Sequence, residues 1–251
     1  MDYQKVDLDK LMEKWVYENS GISGDISLPY RLYLPKGYQE KNCRLILFFH
    51  GAGRRGNDNY AQISDVNGAE IFMKQILVSP YKDECIILAP QCPSDLQWVG
   101  SSPEVWAKGE FNFDEELETI PMQLTLALLS EIIDEYSVDK KRIYASGLSM
   151  GGFATYYVIT KYPDLFAAAV AICGGGDPTK AELIKNVPLY AFHGLDDNVV
   201  HPTSSRRMVE ALRRVSAVDV RHSEFPHVGH DSWRNAFQMP ELYDWLFQKS
   251  K

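Results

Sequence analysis

The residues best suited to covalent chemistry stand in Gly147-Leu148-Ser149-Met150-Gly151-Gly152. The apolar run Arg142-Ile143-Tyr144-Ala145-Ser146 precedes them, and a helix-forming run over 153–159 follows. Strand, Gly-x-Ser-x-Gly, helix is the setting of a nucleophile elbow, a turn so sharp that the neighbours of the serine must be small. Such a turn lifts the Ser149 hydroxyl above the carboxyl edge of a parallel sheet. It also aims the first amides of the next helix at whatever the hydroxyl attacks. Chance alone puts this pentapeptide in roughly one in twelve chains of this length. Partners elsewhere must therefore decide between an elbow and a plain glycine-rich turn.

A serine hydroxyl needs a base within hydrogen-bond reach, and the base needs a group that fixes its tautomer and stabilises its cation. Two later segments offer both: His193-Gly194-Leu195-Asp196-Asp197-Asn198-Val199-Val200 and His227-Val228-Gly229-His230-Asp231-Ser232-Trp233. Serine, then acid, then histidine is the chain order for an elbow of this kind. Asp197 leads into apolar packing and is expected to point inward, whereas Asp196 can cap the next segment or face water. His230, after a glycine at a loop tip, suits a mobile base. His227 and His222 are the alternatives, with His222 reading as a strand surface residue. A metal set of His222, His227 and His230 lacks the spaced carboxylate of a helix-borne site, so no metal and no cofactor is expected.

The apolar run 44–49 ends in His50-Gly51-Ala52-Gly53-Arg54-Arg55-Gly56. This loop is expected to bend toward the elbow and lend a backbone N–H. Ala52, with Gly53 in reserve, would join Met150 as the oxyanion donors. His50 is expected to order the loop through hydrogen bonds. Over 94–118 periodicity is lost, and acids mix with Trp98, Trp106, Phe111 and Phe113. A long loop leaving a strand at its carboxyl edge reads as a pocket wall or partial lid; the alternative is aromatics that only anchor it. Gln91, Trp98 and Trp233 are the expected substrate contacts.

These segments need a frame to bring them together. Residues 14–19 and 28–34 read as an antiparallel hairpin at one sheet edge, and 44–49, 85–89, 142–146, 167–173, 188–192 and 219–225 as further strands. Helices are expected over 68–77, from Pro121, after the elbow, over 204–214 and over 242–248. Residues 137–141 and 174–177 read as turns. Strands alternating with helices after a hairpin indicate one α/β domain over 1–251 with a mostly parallel sheet. The 251 residues are 45% hydrophobic and 24% charged, as in ordinary globular proteins. A net charge of −8 without a basic stripe argues against nucleic acid as the main partner. No apolar run reaches membrane-spanning length. The polar start lacks a signal-peptide core, so a cytoplasmic location is expected, or a secreted one if the chain is a processed mature form. Cys43, Cys85, Cys92 and Cys173 show no Cys-x-x-Cys spacing and read as buried free thiols.

The chain resembles the α/β-hydrolase superfamily, most closely its compact serine esterases and predicted peptidases related to phospholipase/carboxylesterase, feruloyl esterase and polyhydroxybutyrate depolymerase. The carriers are His50-Gly51-Ala52-Gly53, Ala89-Pro90-Gln91-Cys92-Pro93, the elbow, His193-Gly194-Leu195-Asp196-Asp197 and Gly229-His230-Asp231-Ser232-Trp233. The resemblance implies an α/β-hydrolase fold with helices on both faces of the sheet and a catalytic triad of Ser149, Asp197 and His230. It also implies carboxylesterase activity on small esters, short-acyl or carbohydrate-linked feruloyl and acetyl, through an acyl-enzyme. A serine peptidase of the same fold and a non-catalytic binding protein are the alternatives. Arg54 departs from relatives that often carry Glu before Arg-Gly.

Overall fold

The computed structural model describes residues 3–65, 68–100, 111–113 and 118–251. Strands β1 (Glu13–Tyr17), β2 (Leu28–Tyr33), β3 (Cys43–Phe49), β4 (Cys85–Pro90), β5 (Val138–Leu148), β6 (Ala168–Ile172), β7 (Leu189–Gly194) and β8 (Val220–Phe225) form one sheet. Their order is β1-β2-β4-β3-β5-β6-β7-β8. The leading pair is antiparallel, with Trp15 opposite Tyr30, and β2 runs antiparallel to β4. From β4 to β8 every neighbouring pair is parallel.

Alternation along β3 sets the two layers. Leu45, Leu47 and Phe49 face one side, where they share a core with Met122, Phe153 and Met208. Those three belong to helices α3 (Ile120–Glu135), α4 (Met150–Lys161) and α5 (Thr203–Arg214). Ile46 and Phe48 face the other side and pack with Phe72, Phe237 and Leu246. These come from α2 (Ala69–Val78), α6 (Trp233–Phe237) and α7 (Pro240–Phe247); the short α1 (Leu8–Leu11) adds Leu8 to the same side. All seven residues of β3 are buried. Burying a large aliphatic side chain contributes roughly 2 kcal/mol, so the strand ends that carry the functional loops rest on a firm base. The expected start of α3 holds: Thr119 caps it by accepting from the Met122 amide, and Pro121 sits in its first turn.

The expected turn over 137–141 is corrected: β5 already begins at Val138. Its polar start hid it, because Lys140 and Lys141 are exposed and the half-buried Asp139 accepts from the Lys141 amide and the Arg142 guanidinium. A register shift between Cys43 and Leu45 of β3 absorbs the irregularity. Among the short elements that the sequence pattern does not reveal are α1, the 3-10 turns over Ala52–Arg54 and Pro178–Ile184, and α6. All four cysteines are buried and free. No helix among the described residues is long and apolar enough to cross a membrane.

Candidate active site

Because β3 to β8 run parallel, the loops after Phe49, Pro90, Leu148, Ile172, Gly194 and Phe225 all open at one edge of the sheet. The elbow lies there. Ser149 sits at φ 54°, ψ −120°, between the last residue of β5 and the first of α4. A side chain on Gly151 would put Cβ 2.0 Å from the Phe49 carbonyl oxygen, and one on Gly147 would reach within 2.2 Å of the Gly151 oxygen. Only glycine permits so close a crossing of strand and helix. The strained backbone predicts that Ser149→Gly is more stable than the parent. Relief of roughly 1–3 kcal/mol of strain exceeds the extra unfolded-state entropy of glycine, about 0.5–1 kcal/mol. A melting temperature higher by about 2–4 °C is the expected calorimetric result, and a lower one would mean the turn stores no strain.

The structure brings Ser149, His230 and Asp197 into one hydrogen-bonded line. Ser149 Oγ lies 2.9 Å from His230 Nε2, and His230 Nδ1 lies 2.8 Å from Asp197 Oδ2. Asp197 is buried, and its Oδ1 accepts from the Val199 and Val200 amides at 2.9 and 3.0 Å. Burial works to raise its carboxyl. Hydrogen bonds from His193, His230 and the Val200 amide outweigh this and hold it well below the usual carboxylate range. A carboxylate can only accept, so Nδ1 of His230 carries the proton and Nε2 offers its lone pair to the Ser149 hydroxyl. Asp196 instead has its side chain 64% exposed, 3.9 Å from the outward-facing His227. His222, His227 and His230 do not converge on one point: His222 Nε2 faces Ser205, His227 faces solvent, and His230 faces Ser149. Cys173 lies within 4.8 Å of the ligand atoms of Asp197 and His230. Burial pushes its thiol well up, so it fills space as a neutral group.

The loop after β3 lies beside Ser149. Ala52 opens a 3-10 turn, Ala52–Arg54, and Met150 opens α4. First-turn amides have no intrahelical acceptor, so both N–H groups are of the kind that can receive an oxyanion. His50 holds this loop as expected. Its Nε2 accepts from the Cys92 amide at 3.0 Å, so its Nδ1 carries the proton and donates to the Gly51 carbonyl at 2.7 Å. Burial pushes His50 down to about 4. The unfolded chain, with His near 6.5, therefore binds this proton first, and stability falls as pH drops from about 6.5 to about 4. The gap corresponds to about 3 kcal/mol. Urea unfolding of His50→Gln should lose that much less stability between pH 7 and pH 4 than the parent; equal losses would contradict the buried neutral ring.

Two of the three expected substrate contacts are corrected. Gln91 is fully buried: its Oε1 accepts from the Asn59 amide at 2.7 Å, and its Nε2 donates to Asp58 and to the Arg54 carbonyl. Trp98 is fully buried too, stacked edge-on against Phe49 and His50, with its indole N–H on the His50 carbonyl. Both brace the loop from behind, since an inward-turned amide or indole finds partners in the loop backbone. Trp233 does line the cleft, a cavity of about 510 Å³ whose walls include Ala52, Arg54, Leu148 and Val199. Its ring meets His230 edge-on at 5.2 Å. Arg54 is paired with Asp65 at 3.1 Å on the same wall. Trp106, and with it much of the expected lid over 94–118, lies outside the described residues; Phe111 packs on Phe153, and Phe113 on Tyr157. Sequence reasoning missed Arg55, which donates to the Ala52 and Leu96 carbonyls, and the contacts of His193 described below. Arg55 carried no signal beyond its place in a glycine-rich loop.

Comparison with known proteins adds three kinds of match. The prolyl oligopeptidase family matches residues 111–187. A bifunctional acetylxylan esterase/xylanase of Neocallimastix patriciarum is 35% identical over 77 residues, which are 29% of this chain and 12% of that protein. Feruloyl esterase B of Piromyces equi is 37% identical over 87 residues, 32% of this chain and 16% of that one. The chain thus spans well under a fifth of the length of these two curated relatives. The crystal structure of a thermostable esterase superposes with a TM-score of 0.84 at 33% identity, covering 97% of this chain and 64% of that one.

Proposed function

Since the chain belongs to the α/β-hydrolase superfamily, we propose that it is a serine carboxylesterase whose nucleophile, base and acid are Ser149, His230 and Asp197. The observation that carries this reading is the continuous line from hydroxyl to imidazole to buried carboxylate at 2.9 and 2.8 Å. His230 takes the Ser149 proton as Oγ attacks the ester carbonyl carbon. The Met150 and Ala52 amides receive the oxyanion. His230 then protonates the departing alkoxide, and the alcohol leaves. Water gives a proton to His230 as it attacks the acyl-enzyme carbonyl carbon; the acyl–Oγ bond then breaks, His230 returns that proton to Ser149 Oγ, and the carboxylic acid leaves. Asp197 holds the ring in its working tautomer and stabilises the imidazolium.

The proposed substrate is a small ester, acetyl or feruloyl, attached to a carbohydrate. The similarity to the acetylxylan esterase/xylanase and to feruloyl esterase B supports this choice, as does a cleft with apolar walls at Leu148, Val199 and Trp233. The match to the prolyl oligopeptidase family favours a second reading, a peptidase using the same three side chains. A panel of acetyl, butyryl, octanoyl and feruloyl esters run beside peptide anilides separates them. Acetyl and feruloyl esters should show the highest kcat/KM. Faster cleavage of the anilides would overturn the esterase assignment.

A further inference from the structure

Behind the acid lies a second imidazole that the reaction above does not use. His193, the last residue but one of β7, is fully buried. Its Nε2 lies 2.8 Å from the Val200 carbonyl oxygen and 3.3 Å from Asp197 Oδ2, the oxygen that His230 also engages. Both of those partners can only accept, so Nε2 must carry a proton and share it between them. Nδ1 lies 2.8 Å from Ser205 Oγ on α5. In the neutral ring Nδ1 has only a lone pair, so the Ser205 hydroxyl donates to it at 2.8 Å in preference to the Pro202 carbonyl at 3.2 Å, and this holds the tautomer from the far side. Asp197 therefore has four donors around its two oxygens: the Val199 and Val200 amides on Oδ1, and His230 and His193 on Oδ2.

We propose that His193 is a positioning residue for ester hydrolysis, acting through Asp197. The two amides restrain only Oδ1, which leaves the carboxylate free to pivot about that oxygen. A donor from β7 on Oδ2 removes the pivot and keeps that oxygen aimed at His230 Nδ1. The close fit of the loops supports a fixed arrangement: a side chain on Gly194 would meet the Gly229 and Val228 carbonyl oxygens at 2.1 and 2.3 Å. The end of β7 and the histidine loop thus pack backbone to backbone beside the pair. His193 touches neither substrate nor Ser149 and makes no bond in the reaction.

The role rests on the hydrolase reading, and a double-mutant cycle tests it. Rates are measured per active site, titrated with a fluorophosphonate, on p-nitrophenyl acetate. His193→Phe should lower kcat by roughly 10²-fold with KM nearly unchanged, because binding walls are untouched. His193→Gln, which keeps an N–H near the Nε2 position, should stay within a few-fold of the parent. In an Asp197→Asn background His193→Phe should cause no further loss, since nothing remains for it to orient. Should His193→Phe not fold, His193→Asn, too short to reach Asp197, takes its place in the cycle. An equal loss with and without Asp197 would overturn the positioning role. A parent that takes up no phosphonate and turns over no ester would instead overturn the hydrolase reading beneath it.

Discussion

Ser149→Ala is expected to lower kcat for ester hydrolysis by about 10⁶-fold while KM stays within a few-fold. In the proposed reaction the hydroxyl oxygen forms the covalent bond to the acyl group, and alanine offers no nucleophile in its place. Cys173 is buried with its thiol pushed well up, and the Asp197 carboxylate is enclosed by its donors. The cleft and the Met150 and Ala52 amides remain, so a residual rate of about 10³–10⁴ over water is expected. Fold should be kept, because alanine occupies the same φ as serine and makes the same turn. A variant still hydrolysing at a tenth of the parental rate would mean that another group attacks the ester.

Asp197→Asn should cost about 10⁴-fold in kcat, and the geometry gives the reason. Two backbone amides, Val199 and Val200, point at Oδ1, so the oxygen of asparagine must take that place. Its amide nitrogen then faces His230 Nδ1, which must accept and so gives up its proton. The proton moves to Nε2, where the ring can no longer receive the Ser149 hydroxyl. Asp196→Asn, on an exposed side chain, should change kcat by less than a few-fold. Steady-state kinetics of the two variants on one ester decide the matter. The reverse ranking would reassign the acid.

Much of this was legible in the residues. Apolar runs ending in glycine-rich loops marked β3, β5 and β7, because a strand buried on both faces has little use for polar side chains. The choice of Asp197 over Asp196 came from the apolar Val199-Val200 that follows, and burial of one beside exposure of the other matches it. What was hidden depends on which way a side chain turns. Gln91 and Trp98 carry the composition of a binding wall, yet their polar atoms are taken by the Asn59 amide and the His50 carbonyl, contacts made across 32 and 48 residues of chain. His193 was visible within its His-Gly pair, but its bond to Ser205 depends on how α5 packs against β7. The start of β5 was masked by charge, since Asp139 to Lys141 read as a turn on any hydropathy pattern.

The account depends most on Ser149 acting as an acyl acceptor. Intact-mass measurement of the protein mixed with p-nitrophenyl acetate and quenched in acid within its first turnovers, followed by peptide mapping, tests this directly. One acetyl group is expected on the peptide that holds Ser149, absent in Ser149→Ala, with p-nitrophenol released in a matching burst. Hydrolysis that proceeds with no adduct on Ser149, or with the acetyl group on another residue, would contradict it.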